Sequence, residues 1–471
     1  MKLTWQHGVI LCLNLLALIV IQREAPRFLE QCFPLHELHT TDFVQDWTST
    51  RNYREGLPVY WPLRDSLRYH LQLNFWFLHI HYNAHPPTSV LFLLPLGWLD
   101  YATAFIVWNV ISLAALAGSF YLAGRTWHWR FPPWSWLPAI ALALVFNPLS
   151  QQMMQGQMNG MLLFLLVLCW WGDRTDRPML AGIALALAMS IKLYPGFLLL
   201  HFAVQKRWRL LTTAVLGFGA WVLASVGVLG LQTYVDYVRI VMPEVQQFKM
   251  HVVNASLNGF WNKLLGQASA QHLVAPLMEM PLLAKTGLCI SLLTVAASSI
   301  YFSWHANTPE RRDLAVGANL IAMLLLSPVT WEHTQVMLLP WLMQLWRWSP
   351  ERIIPKSILV LIWLSMLINH VHWWRDRFAE RWPKPVVPLT SLIETGGGLQ
   401  GTAPGLGGPA AIMFLWQVLP HFAREVDLVT TGMEVLTWRS VPCYTLLGLL
   451  VFVYWVGKQL DSKRLSPAAS R

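Results

Sequence analysis

Lys192 interrupts the otherwise apolar stretch AGIALALAMSIKLYPG at 181–196. A cation at membrane depth is expensive, and its default reading is functional, with an anionic partner such as a phosphate or a nearby carboxylate. The plainer alternative is that its stem lets the charge reach the surface. Carboxylates stand in TDFVQDW at 41–47. Asp42 can take a proton from a hydroxyl nucleophile or bind a cation. Asp46 is the reserve for the same task, because residues four apart share a face if the stretch is helical. His333 opens an apolar run after Trp331-Glu332 and suits either a phosphate oxygen or a structural hydrogen bond. Gln155, Gln157 and Asn159 are uncharged amides fitted to sugar hydroxyls, to phosphate oxygens or to helix caps. His85 in HPPT and Asn254 in NAS complete the polar islands.

These islands sit in a chain that cannot be a soluble globule. Of its 471 residues 55% are hydrophobic before glycine is counted, and only 12% are charged. A soluble domain carries roughly 45–50% apolar residues with glycine included and about 25% charged ones. The apolar residues fall in blocks of membrane-spanning length separated by short polar turns, which gives an all-α polytopic membrane protein of about ten to thirteen spans. Soluble enzymes, disordered chains and nucleic-acid-binding modules are excluded. The net charge of +10 then reports cytoplasmic loops rather than an anionic partner. The five cysteines are scattered, with no spacing for a metal site or a disulfide framework. The run Val9 to Ile21 reads as a retained first span, since Gln22-Arg23-Glu24 follows it without a cleavage site.

The basic clusters at Arg125–Arg130, Arg174/Arg177, Lys206–Arg209, Arg311-Arg312, Arg347/Arg352 and Lys458–Arg464 are assigned to the cytoplasm. The polar islands then all fall on the opposite side, as the lining of one extracytoplasmic cavity. Two segments resist simple spans. Residues 86–99 are too short, and residues 179–204 lie between two basic clusters with Lys192 and Pro195 inside them. A pair of half-helices turning near Lys192 resolves the second case, provided that protein or a water-filled cavity covers the broken backbone. The chain divides into 1–371, the membrane module with a first outer loop at 23–84, then 372–440, and finally 441–471, the last span and cytoplasmic tail. The middle segment carries GGGLQGTAPGLGG and is either a lid or a plain connector. That glycine run follows no strand and is no phosphate-binding fingerprint. Ser-His-Asp order, HExxH, Walker and Asp-x-Asp sequences are all missing.

Taken in order, the islands resemble glycosyltransferase family 87, polytopic enzymes of GT-C architecture. The resemblance runs through Asp42-Phe43, Gly56, Tyr60, HPPT at 85–88, GQMN at 156–159, AGIALALAMSIKLYP at 181–195, Asn254-x-Ser256 and SPVTWEH at 327–333. It implies a GT-C-like helical bundle that moves a sugar, mannose most readily, from a polyprenyl-phosphate donor. The implied acceptor is a hydroxyl of a lipid-linked or envelope glycan on the outer face of a plasma membrane, a bacterial inner membrane, with inversion. By motif position Asp42 is the general base, and Lys192 and His333 hold the departing lipid phosphate. His85, Gln155, Gln157, Asn159, Asn254 and Glu332 shape the substrate site. No metal, cofactor or nucleic acid is expected, and the partners are the bilayer, the donor and the acceptor. The rival is a lipid-linked glycan flippase or other transporter, which should show inverted repeats and polar residues reaching both faces.

Overall fold

A computed structural model describes residues 5–33, 41–73, 81–251, 253–267, 274–367, 430–431 and 440–465. The first helix, α1 (Trp5–Cys32), continues one-piece past the expected end at Ile21, with Arg23 and Arg27 paired to Glu24 on its later turns. The segment 23–84, expected as an outer loop, is largely helical among its described residues. It holds α2 (Phe43–Arg54) and α3 (Leu63–Leu71), and α4 (Pro87–Leu93) follows. The bundle continues through α5 (Tyr101–Thr126), α6 (Trp136–Val145), α7 (Asn147–Met154), α8 (Asn159–Arg174), α9 (Pro178–Ile191), α10 (Leu198–Val204) and α11 (Trp208–Leu229). Two short helices, α12 (Leu231–Asp236) and α13 (Met242–Val245), lead to α14 (Leu257–Leu265). The rest comprises α15 (Pro281–Trp304), α16 (Pro309–Leu326), α17 (Leu339–Trp348), α18 (Ile353–Leu367) and α19 (Val441–Leu465). One two-residue parallel pairing joins Val274–Ala275 to Thr430–Thr431. Apart from Thr430–Thr431 and Ser440, the segment 372–440 lies outside the described residues.

Among the described residues, five helices are long and apolar enough to cross a membrane, and the bent pair α7–α8 makes a sixth. Against the expected ten to thirteen spans, shorter apolar helices of 10–17 residues lie where several of the others were expected. The shortness has local causes. The helix of residues 136–154 breaks at Phe146 because Pro148 has no N–H to donate and its ring would strike the preceding turn. Near Lys192 the expected pair of half-helices is present: α9 stops at Ile191, Lys192 is extended, and helical structure resumes at Tyr194.

α8 carries Asn159 at its start and Arg174 at its end. α16 runs the other way, from Asp313 near its start to the Ser327–His333 loop at its end. Both helices thus connect the same two polar clusters, about 20 Å apart at 1.5 Å per residue. Between the clusters lies one continuous apolar core that includes Trp108, Leu162, Leu185, Leu320 and Val336. α9 packs on both α8 and α11, and its small residues permit close approach: a Cβ at Gly182 would meet the Thr213 Cβ at 2.6 Å. By contrast, few side chains of α1 are covered by protein, which suits a helix facing lipid.

Candidate active site

The break between α7 and α8 forms the floor of the site. The chain turns through 115° there, and Gly156 makes the turn at φ +61°. A Cβ on Gly156 would lie 2.7 Å from the Phe43 Cβ and 2.8 Å from the Phe105 ring, so only glycine fits. Its carbonyl is held by the indole N–H of Trp108 at 2.8 Å. Gln155, just before the turn, accepts from the Phe43 backbone N–H at 3.0 Å and, through Oε1, from the Asp42 N–H at 3.2 Å. The turn therefore fixes the start of α2 and with it the Asp42 carboxylate.

Gln157 links the two charges. Its Nε2 donates to Asp42 Oδ2 at 2.6 Å, and its Oε1 accepts from Lys192 Nζ at 3.1 Å. The two ends of one amide thus read a carboxylate and an ammonium, which leaves a single orientation for the side chain. Lys192 also donates to Asn159 Oδ1 at 3.3 Å, and Tyr194 OH donates to the same oxygen at 3.2 Å. Behind them, Gln152 Oε1 accepts from Asn159 N and Nδ2 at 3.2 and 3.0 Å, and Gln152 Nε2 donates to the Gln157 carbonyl.

Asp42 is open on one side and crowded on the others. The crowding desolvates its carboxyl and holds it above the ordinary carboxylate range, against the pull of the Gln157 hydrogen bond and of His85 and Lys192. Asp46 is placed differently. It is 2% exposed, and its Oδ1 accepts from His85 Nδ1 at 2.8 Å and from Asn83 Nδ2 at 3.1 Å. His333 is buried in electrostatic reach of Lys192 and His85, and among the described residues its Nε2 has no hydrogen-bond partner. Among the described residues no group of three or more His, Cys, Asp or Glu side chains is arranged to hold a metal ion.

Asp42, Asp46, His85, Gln155, Gln157, Asn159, Lys192 and His333 therefore converge. Glu332 and Asn254 are engaged at the margin. Glu332 Oε2 accepts from Asn147 Nδ2 at 2.6 Å. The Asn254 amide is taken up by backbone: Nδ2 donates to the Pro328 carbonyl at 3.1 Å, and Oδ1 accepts from Ser256 N and Thr330 N at 3.0 Å each. With the Ala255–Thr330 backbone bond, these contacts clamp the loop that presents Trp331 to His333. Asn83, Gln152, Tyr194 and Asn147 escaped the sequence reading. Asn83, Gln152 and Tyr194 lie within three residues of a polar island, and that adjacency was the available signal; Asn147, eight residues before Gln155, offered none.

Comparison with known proteins follows the same residues. The model of glycosyltransferase family 87 matches residues 83–328. That range includes His85, the 155–159 turn, Lys192 and Asn254, whereas Asp42, Asp46, Glu332 and His333 lie outside it. An alpha-(1->3)-arabinofuranosyltransferase of Corynebacterium glutamicum is 30% identical over 228 residues, covering 47% of this chain and 49% of that protein. A polyprenol-phosphate-mannose-dependent alpha-(1-2)-phosphatidylinositol pentamannoside mannosyltransferase of Mycolicibacterium smegmatis is 26% identical over 295 residues, covering 61% and 67%. The chain thus spans about half the length of the first of these relatives and about two thirds of the second. Among solved structures, ArnT from Cupriavidus metallidurans, bound to undecaprenyl phosphate, aligns over 96% of this chain and 77% of its own at 16% identity and a TM-score of 0.34, too distant to bear on the fold.

Proposed function

Because the chain belongs to glycosyltransferase family 87, we propose that it moves a sugar, mannose most readily, from a polyprenyl-phosphate donor to a hydroxyl of a lipid-linked or envelope glycan acceptor. The observation that carries the reading is the Asp42–Gln157–Lys192 chain, a carboxylate and a fixed cation held apart by one amide. The acceptor hydroxyl attacks the anomeric carbon while Asp42 takes its proton. The bond from that carbon to the phosphate oxygen breaks, and its electron pair leaves with the lipid phosphate. A single displacement inverts the anomeric centre. Lys192 stabilises the departing charge, the electrostatic part of such a reaction, and His333 offers a buried nitrogen to hydrogen-bond the phosphate. Gln155 and Gln157 hold the base, Asn159 holds the lysine, and Asn254 and Glu332 shape the wall. A departing phosphate matched in this way needs no divalent metal.

The similarity to a mannosyltransferase named as polyprenol-phosphate-mannose-dependent supports the donor class. The placement is extracytoplasmic in a plasma membrane. In support, Arg174, Arg207, Arg311 and Arg347 gather at the end of the bundle remote from Lys192, as the preference of basic residues for the cytoplasm requires. The test is transfer in proteoliposomes from a panel of polyprenyl-phosphate sugars to total membrane lipid. Transfer from at least one donor is expected. Absence of transfer from every donor, with movement of a lipid-linked sugar across the bilayer, would replace this reading with a flippase.

A further inference from the structure

Gln152, in the last turn of α7, is fully buried. Its amide meets the two residues that hold Lys192. An amide turned end for end keeps its shape and exchanges donor for acceptor, so whatever fixes its ends decides what it offers. The ends of Gln152 are fixed by backbone groups, which cannot exchange roles. The Asn159 N–H donates to Oε1 at 3.2 Å, and Nε2 donates to the Gln157 carbonyl. The same Oε1 accepts from Asn159 Nδ2 at 3.0 Å. Asn159 is left with one orientation. Its nitrogen faces Gln152, and its oxygen accepts from Lys192 Nζ at 3.3 Å and Tyr194 OH at 3.2 Å. Those two donors occupy both lone pairs of Oδ1, so the Asn159 oxygen serves the lysine and has none left for a sugar.

The orientation matters because Lys192 is extended, between the end of α9 and the turn at Tyr194. Its ammonium is aimed by two side-chain oxygens, Gln157 Oε1 at 3.1 Å and Asn159 Oδ1. A reversed Asn159 would turn an N–H toward the ammonium and push it away. Tyr194 does not prevent that reversal, since a hydroxyl accepts as well as donates. Gln152 does.

We propose that Gln152 is a positioning residue that, through Asn159, aims Lys192 at the phosphate of the lipid donor. The inference rests on the donor class proposed above. Gln152 also satisfies an N–H at the start of α8, where a helix has no partner of its own. That second task is structural, and the two are separable by coupling.

The experiment is a double-mutant cycle of Gln152→Met and Lys192→Met on the purified full-length protein in nanodiscs. It measures binding of a polyprenyl phosphate, whose apolar chain keeps weak binding measurable, with the uncharged polyprenol as control. Gln152→Met keeps the length of the side chain and removes both ends of the amide. It is expected to weaken phosphate binding about tenfold, the worth of one hydrogen bond to a charged group, and to leave polyprenol binding unchanged. In the Lys192→Met background no ammonium remains to be aimed, and the same change should cost nothing further. A role confined to the start of α8 would lower phosphate binding by the same factor in both backgrounds, or lower thermal stability alone. Either result would overturn the inference and leave the donor reading intact. If Gln152→Met fails to fold, Asn159→Leu replaces it in the cycle, because Gln152 can still accept from the backbone N–H there. A loss that vanishes in the Lys192→Met background supports the inference; a loss of equal size in both backgrounds, or none, overturns it. No phosphate-dependent binding by the wild type would overturn both this inference and the donor reading.

Discussion

Two carboxylates stand at opposite ends of the bundle, and they are built on opposite plans. Asp313, near the start of α16, is closed on every side. Its carboxylate accepts from the indoles of Trp127 and Trp170 at 2.9 and 2.8 Å, and Arg174 Nε lies 3.2 Å away. Trp341 donates to its backbone carbonyl at 3.2 Å, and the three indoles pack on one another, Trp127 and Trp170 with centroids 4.5 Å apart. Among the described residues Asp42 has a single side-chain donor, Gln157, and it has one open side. A saturated carboxylate joins helices; an unsaturated one beside a fixed lysine has capacity left for a substrate. Burial alone does not separate a staple from a site. The unspent hydrogen-bonding capacity does.

That contrast can be broken or sharpened by substitution. Asp42→Asn should lower transfer on the order of 10²–10⁴-fold, the usual contribution of a general base, with thermal stability unchanged. Lys192→Met should cost about 10²–10³-fold, as loss of one fixed charge-stabilising donor does, seen chiefly as a weaker hold on the donor phosphate in steady-state kinetics. Gly156→Ala should both destabilise and slow the protein, because the new Cβ meets Phe43 and Phe105; about 1–3 kcal/mol is expected from overpacking, read by thermal unfolding. Asp313→Asn should give the reverse of Asp42→Asn: about 2 kcal/mol of stability lost with its charged hydrogen bonds, and unchanged transfer per folded molecule.

The smallest effect is on pH dependence. Crowding holds the Asp42 carboxyl above its ordinary range, and a base works only when ionised. Activity should therefore fall as pH drops through that raised value, placing the acid limb of kcat/KM above the usual carboxylate region near ~4. Gln157→Leu removes the hydrogen bond that favours the ionised form, so its acid limb should move further up. An unshifted limb in that variant would detach Gln157 from the base.

The convergence of Gln157, Asn159 and Lys192 was legible because each is polar where its immediate neighbours are apolar or glycine, and Asp42 because it stands in a polar island. The broken helix at Lys192 was legible for the same reason, since a lysine and a proline within one apolar run leave few alternatives. The different surroundings of Asp42 and Asp46 were not. Spacing puts both on one face of a helix, and only the fold brings Asn83 and His85, 37 and 39 residues away, onto Asp46. Asn254 illustrates the converse, because a loop asparagine reads alike whether its amide meets a sugar or, as here, the backbone of Pro328 and Thr330. The indoles around Asp313 were equally illegible, because the arrangement depends on contacts 143 and 186 residues apart.

The central claim is that Asp42 acts on the acceptor proton rather than on donor binding or folding. The most direct measurement is donor binding and sugar transfer in the same proteoliposomes for wild type and Asp42→Asn. The account predicts that Asp42→Asn binds the polyprenyl-phosphate sugar within a few-fold of wild type and transfers almost none of it. Transfer at the wild-type rate by the folded variant would contradict the account and move the base elsewhere.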